Sequence, residues 1–256
     1  MEKNDILPQG AKVKSLYKAI KLLDYFDNSH PEHGVSELAE LSGLLKSSVY
    51  NIMSTYETCG ILEKNPKTSQ YRLGLKILAL SNVLSQDDVF TGIIRPYMEE
   101  LSEGTGETVF FATPYGNNII YREATFPNHS ISIRTIKGVV APMYCTGLGK
   151  AILSCMEDER TERVLTEKME PFTPYTITDP QTFREEIKKT RERGYSIDNM
   201  EHEYGIKCIS IPIKNGNDQL MGAISLSGPS LRFGDETIVE YANLLFDRAK
   251  RIQARI

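Results

Sequence analysis

Ser225 and Ser227 are two residues apart in a strand-like run, 219–227, of a 256-residue chain. Strand side chains alternate, so both hydroxyls face one side while Ile224 and Leu226 turn to apolar packing on the other. A second run, 206–214, joins the first through Asn215-Gly216, a strong hairpin signal. That pairing sets Cys208 opposite the serines to within a residue or two. Hydroxyls and a thiol on one face suit a small oxygen-rich ligand in a mostly apolar cavity, with Met143 and Tyr144 as candidate apolar wall. The plainer reading stays open, since a thiol is also a small core residue and strand serines can satisfy their own backbone.

Gly147-Leu148-Gly149-Lys150 resembles a phosphate loop only superficially. That loop carries a first glycine four residues ahead of its Gly-Lys pair and Ser or Thr behind it. Tyr144 and Ala151 occupy those positions. A glycine turn opening a helix fits better, and its free amides and dipole would favour an anion. A simple tight turn remains the alternative. His202 with Cys145 and Cys208 falls short of four well-spaced ligands, and His30, His33 and His129 lie elsewhere. No metal site and no cofactor are expected. Cys208 as a nucleophile with His202 lacks a helix dipole to lower its pKa. With no Ser–His–Asp order or paired carboxylates, an enzyme is not expected.

A third constellation lies near 46–58. If Val49, Ile52, Met53 and Tyr56 are buried, the opposite face shows Lys46, Ser47, Ser48, Tyr50, Asn51, Ser54 and Thr55, with no carboxylate before Glu57. A helix with short hydrogen-bonding side chains fits a major groove, whereas an ordinary solvated face would mix Glu, Lys and Gln. Lys64, Lys67 and Arg72 follow in a turn-rich hairpin and could reach adjacent phosphates.

These residues need elements to hold them. Leu16, Ala19, Ile20, Leu23 and Phe26 predict a first amphipathic helix. A short helix follows Val35, with Ser36 as N-cap. After Ser42-Gly43 comes the polar-faced helix, ending at Gly60, then short strands at 61–63 and 71–73. Three helices and a hairpin make a winged helix-turn-helix. Residues 74–85 predict a connecting helix, and Ile94, Tyr97, Met98 and Leu101 another. Strands are expected at 108–113, 118–125 and 130–136, and helices at 147–156, 158–168, 180–193 and 235–256. Strands in two clusters around helices predict an α+β domain on an antiparallel sheet.

Composition agrees with a globular protein: 40% hydrophobic, 25% charged, net charge −4. Residues 1–80 carry net +1 and the remainder net −5, a mild asymmetry suggesting two parts with different partners. No run approaches the ~20 apolar residues of a membrane-spanning helix. The four cysteines are scattered and the polar start lacks a signal-peptide pattern, so a cytoplasmic protein with reduced thiols is expected.

Several blocks then fall into one order: Ser15-Leu16-Tyr17-Lys18-Ala19-Ile20, Ser36-Glu37-Leu38-Ala39, Gly60-Ile61-Leu62-Glu63, Tyr71-Arg72-Leu73-Gly74, Gly147-Leu148-Gly149-Lys150-Ala151, Gly194-Tyr195-Ser196-Ile197-Asp198, Glu201-His202-Glu203-Tyr204-Gly205 and Ile224-Ser225-Leu226-Ser227-Gly228-Pro229. With these the chain resembles an IclR-type bacterial transcription regulator from about Val13 to its C-terminus. The resemblance implies a GAF-like effector domain, homodimers through the winged domains, and often dimers of dimers through the effector domains. It also implies an effector carboxylate on Gly147 and Leu148, with Asp198, Cys208, Ser225 and Ser227 forming the rest of the pocket. Asp198 would repel a carboxylate, so it suits a hydroxyl or keto end of the ligand.

The expectation is therefore a winged helix-turn-helix at 10–73, a connecting helix at 74–88 and an effector-binding domain at 89–256. The partners would be double-stranded operator DNA of pseudo-palindromic sequence and a small carboxylate or sugar-acid metabolite, with no membrane. The competing reading is a metabolite sensor that uses its winged head to dock a protein partner, which the acidic pI of 5.7 keeps open.

Overall fold

The computed structural model describes residues 10–86, 89–127 and 136–256. The chain divides into two compact units, 1–88 and 89–256. In the first, α1 (Lys14–Leu23), β1 (Glu32–His33), α2 (Val35–Ser42), α3 (Lys46–Thr58), β2 (Leu62–Lys64), β3 (Tyr71–Leu73) and α4 (Leu75–Gln86) follow in order. The antiparallel sheet runs β1-β3-β2. Leu22, Leu38, Val49, Met53, Leu62 and Tyr71 form the core, so α2, the turn and α3 are locked onto the wing by apolar burial.

Three local expectations change here. The first helix buries Leu22, with Leu23 and Phe26 against the core, but Leu16 and Ile20 of the predicted face stand in solvent. The 3.6-residue period identifies a stripe, and the docking angle decides which part of it is covered. The N-cap of α2 is Gly34 rather than Ser36, and the Glu37 carboxylate accepts from the Gly34 amide at 3.3 Å. The two-residue β1 pairs with β3 and was not foreseen; its His33 is buried, Nε2 donating to the Tyr25 carbonyl at 2.9 Å.

The second unit contains α5 (Val89–Thr105), β4 (Thr108–Tyr115), β5 (Asn118–Thr125), β6 (Val140–Pro142), α6 (Gly147–Ser154), α7 (Asp158–Leu165), α8 (Pro180–Arg193), β7 (Ser196–Asn199), β8 (Ile206–Lys214), β9 (Leu220–Pro229) and α9 (Asp235–Gln253). Its six-stranded sheet runs β6-β5-β4-β9-β8-β7, with every neighbouring pair antiparallel. On one face, Val109, Phe111, Ile209, Ile211, Ile224 and Leu226 pack against Ile94, Met98 and Leu101 of α5 and Leu245 of α9. On the other, Ala112, Ile119 and Ala223 pack against Ile152 of α6 and Phe183 and Ile187 of α8.

β6 and β7 were not anticipated, because three- and four-residue strands carry too little alternation to show. The strand expected at 130–136 lies almost wholly outside the described residues. The β8–β9 connection is not a two-residue turn: the Asn215 amide bonds the Gln219 carbonyl at 2.9 Å, and Asp218 takes φ 62°. The Asn215 side chain, accepting from the amides of Asn217 and Gln219, stabilises this longer loop.

Candidate functional site

The β7–β8–β9 register places the polar residues row by row. Asp198 pairs with Cys208, and Cys208 with Ser227; Ser196 pairs with Ser210, and Ser210 with Ser225. Directly paired residues share a face, so all six side chains lie on the α6 side of the sheet. Ile224 and Leu226 take the opposite side with Ile209 and Ile211. The Ser225 and Ser227 hydroxyl oxygens are 3.4 Å apart.

A cavity of about 260 Å³ opens between this polar grid and the start of α6. Gly147, Leu148, Asp198, Cys208, Ser225 and Ser227 all line it. The Thr146 hydroxyl caps α6 by accepting from the Gly149 amide at 3.2 Å, and its carbonyl accepts from Lys150. The amides of Gly147 and Leu148 precede the first intrahelical bond and so keep their donors for a ligand. Gly149 is a steric necessity against fixed backbone, whereas Gly147 is tight only against a hydroxyl that can rotate. A Cβ on Gly147 would lie 2.6 Å from Ser210 Oγ, and one on Gly149 would lie 2.3 Å from the Met143 backbone. Gly149 thus lets the helix start this close to the chain before it.

Met143 and Tyr144 are not part of this wall. Both are buried in the apolar core beside α6, and the Tyr144 hydroxyl donates to the Glu170 carbonyl at 2.9 Å. The chain through 143–146 must support Gly149 from behind, which turns these side chains away from the cavity. Phe110, Tyr121, Val139, Ile206, His202 and Glu203 line the cavity instead. They come from β4, β5, the segment before β6 and the stretch that leads into β8, which are distant from one another in sequence.

Lys150 ties the two sides of the site together. It is fully buried, and its ammonium donates to the Ile197 carbonyl and to Glu201 Oε1, each at 2.5 Å. The Glu201 amide in turn donates to Asp198 Oδ1 at 2.7 Å. Burial pushes the Asp198 carboxyl up to about 7; Lys150 opposes the rise and Glu201 adds to it. A carboxyl held there can donate a hydrogen bond near neutral pH. Burial also lowers His202, keeping it neutral, and raises the Cys208 thiol well above its usual range, so no thiolate nucleophile is available. Among the described residues no cluster could hold a metal ion.

In the winged unit, Lys46, Ser47, Tyr50, Asn51 and Thr55 of α3 are exposed, and Ser48 is half-buried. Val49 and Met53 anchor the other side of the helix. The Thr55 hydroxyl is turned back to the Asn51 carbonyl at 2.7 Å. Lys64 and Lys67 are exposed on the wing, Lys64 lying over the Tyr71 ring, and Arg72 is paired with Glu63 at 3.1 Å.

A helix-turn-helix with a wing, followed by a sheet domain holding a cavity, defines the class of DNA-binding transcription regulators. The chain belongs to the IclR family. Residues 81–254 match the bacterial transcriptional regulator IclR C-terminal domain, and residues 15–66 match the IclR helix-turn-helix domain. It is 27% identical to the transcriptional repressor IclR of Escherichia coli K12, over 96% of this chain and 90% of that protein. It is also 27% identical to the HTH-type transcriptional regulator KdgR of the same organism, over 100% and 97%. A solved IclR-type regulator from Silicibacter sp. TM1040 aligns with a TM-score of 0.83 and 26% identity, over 94% of this chain and 95% of that one. An IclR homolog from Microbacterium hydrocarbonoxydans, complexed with 4-hydroxybenzoate, shares the fold at a TM-score of 0.76 and 20% identity, over 94% and 98%. The protein is thus a transcriptional regulator that binds DNA through its helix-turn-helix domain, and not an enzyme. Among the described residues no helix is long and apolar enough to cross a membrane.

Proposed function

We propose that the protein is a cytoplasmic regulator whose operator binding is controlled by a small organic or sugar acid held in the α6 cavity. The carrying observation is the convergence of the free helix amides with Asp198, Cys208, Ser225 and Ser227 on one cavity. The effector carboxylate lies on the Gly147 and Leu148 amides, where the helix dipole stabilises it without a buried counter-charge. Asp198, near half protonation, takes a hydroxyl or keto oxygen. The bound 4-hydroxybenzoate of the Microbacterium homolog supports an acid in this fold.

The functional division follows 10–73 for DNA, 74–88 for the link and 89–256 for the effector. Ser47, Ser48, Tyr50, Asn51 and Thr55 read the operator, while Lys46, Lys64, Lys67 and Arg72 contact phosphates. Self-association as a dimer, and then a dimer of dimers, doubles the recognition helices and makes the operator a pseudo-palindrome. Two helices support a dimer, since Leu16 and Ile20 of α1 and Leu75, Leu78, Val83 and Leu84 of α4 are large apolar residues more than half exposed. The effector acts by differing in affinity for the DNA-competent and incompetent states, with α4 as relay.

A thermal-shift screen against glyoxylate, pyruvate, keto-sugar acids and aromatic acids tests the ligand class; a hit raises the melting temperature by mass action. A flat screen would overturn the acid reading. For the DNA half, an electrophoretic shift that persists after Tyr50→Ala with Asn51→Ala would overturn α3 as the recognition helix.

A further inference from the structure

β5 does not run evenly along β4. Phe110 pairs with Ala124 and Phe111 with Glu123, but Ala112 pairs with Tyr121, leaving Arg122 as the extra residue of a β-bulge. An extra residue inverts the facing of everything beyond it. In an unbroken ladder Ala112 would oppose Arg122, and Tyr121 would point to the apolar face with Phe111. The neighbours on either side show the inversion. Before the bulge, Glu123 reaches Arg95 of α5 at 3.7 Å and the Thr125 hydroxyl bonds the Met98 carbonyl of α5 at 3.0 Å, both on the apolar face. Beyond it, Ile119, which shares the facing of Tyr121, packs in the core on the α6 side.

The bulge therefore brings the Tyr121 ring to the cavity, which it lines beside Phe110. The two rings meet edge to face with centroids 5.5 Å apart. The Tyr121 backbone is fixed as well: its amide donates to the Val139 carbonyl at 2.9 Å, and its carbonyl accepts from Gly138 at 2.8 Å. Its hydroxyl makes no hydrogen bond with any described residue. Burial first, and then Cys208, Asp198 and Glu203, raise the phenol, so it stays a donor in the cavity it shares with them. Bulges recur where a side chain has to be re-aimed into a site.

We propose that Tyr121 is a specificity-determining residue of the cavity. Its hydroxyl bonds a second oxygen, hydroxyl or keto, on an acid whose carboxylate lies at the α6 N-terminus. The inference rests on the acid reading of the cavity and narrows it to oxygen-bearing acids. The cavity, about 260 Å³, lies at the small end of ligand sites. Phe110 and the Tyr121 ring give that ligand an aromatic flank, which favours a planar skeleton.

The test is calorimetric titration of the full-length protein and its Tyr121→Phe variant with two acid pairs, 4-hydroxybenzoate against benzoate and pyruvate against propionate. Phenylalanine removes the hydroxyl and keeps the ring, so an unchanged melting temperature without ligand shows the fold intact. The wild-type protein is expected to prefer the oxygen-bearing acid of at least one pair by about tenfold, the worth of one well-placed hydrogen bond. In the variant that preference should fall to within about twofold, through weaker binding of the oxygen-bearing acid alone. Retained preference, equal loss of both acids in a pair, or a wild-type protein that binds acids without discriminating would overturn the role of Tyr121 and leave the acid reading standing. A wild-type protein that binds none of the four would overturn both.

Discussion

Ile224 and Ser225 are neighbours in β9, yet they belong to different environments. Ile224 joins a dry layer with Ile209, Ile211 and Leu226 under α5 and α9. Ser225 joins a polar layer with Ser210, Ser227, Cys208 and Asp198 facing α6. Both layers are buried, so burial alone does not separate scaffold from site. The difference is that apolar side chains fill their layer, whereas small polar ones leave about 260 Å³ unfilled. One sheet thus supplies a rigid foundation on one face and a receptor on the other, and rigidity of the first keeps the second in register.

That contrast can be broken from either side. The largest effect is expected for Leu226→Ala, which opens a void in the apolar layer and should cost about 2–5 kcal/mol in denaturant unfolding. Acid affinity of the protein that remains folded should be unchanged. If affinity collapses with it, the two faces are not independent.

A pH series probes the polar face through Asp198. Its folded pKa, about 7, is raised above the unfolded value, so the native state holds the extra proton. Stability from this group is therefore highest below about pH 4, declines as pH rises, and levels off above about pH 7. Glu201 is also raised by burial and adds to the decline. Asp198→Asn should remove part of it, on the order of a few kcal/mol in the difference between acidic and neutral unfolding curves. Parallel curves for the two proteins would mean that Asp198 is not held protonated by burial.

Ser225→Ala with Ser227→Ala should reverse the pattern of Leu226→Ala. Folding stability should shift by no more than about 1 kcal/mol, since the hydroxyls chiefly face each other at 3.4 Å. Affinity for the acid should fall about tenfold or more by titration. Unchanged affinity would remove the serines from the site.

The smallest effect extends the comparison to α3, which likewise pairs a buried stripe, Val49 and Met53, with a polar face. Lys67→Ala on the wing should weaken DNA binding uniformly across sequences and reduce the salt slope of affinity by about 1. A sequence-selective loss would place Lys67 at a base edge instead of a phosphate.

Much of this was legible beforehand for a physical reason. The hairpin pairing of β8 with β9 and the period-2 spacing of Ser225 and Ser227 are local, so the sequence could place Cys208 opposite the serines, and the register sets it against Ser227. The polar face of α3 was equally readable from its spacing. Met143 and Tyr144 lie outside the cavity lining because their direction depends on how α6 leans on the chain before it, which their spacing does not record. Leu16 and Ile20 kept a helical period yet stayed exposed, because a period says that a face is apolar and not what covers it.

The sequence by itself therefore determined the helices and the long strands, the winged head, and the meeting of Cys208 with Ser225 and Ser227. Local propensity and alternation act over a few residues, and those features need no more. Tertiary structure alone decided the facing of Tyr121, through one extra residue in β5. It also buried Lys150 against Glu201 and raised Asp198 toward neutrality. Register, burial and electrostatic neighbours depend on segments as far apart as Lys150 and Glu201, and they come into being only when the sheet closes against α6.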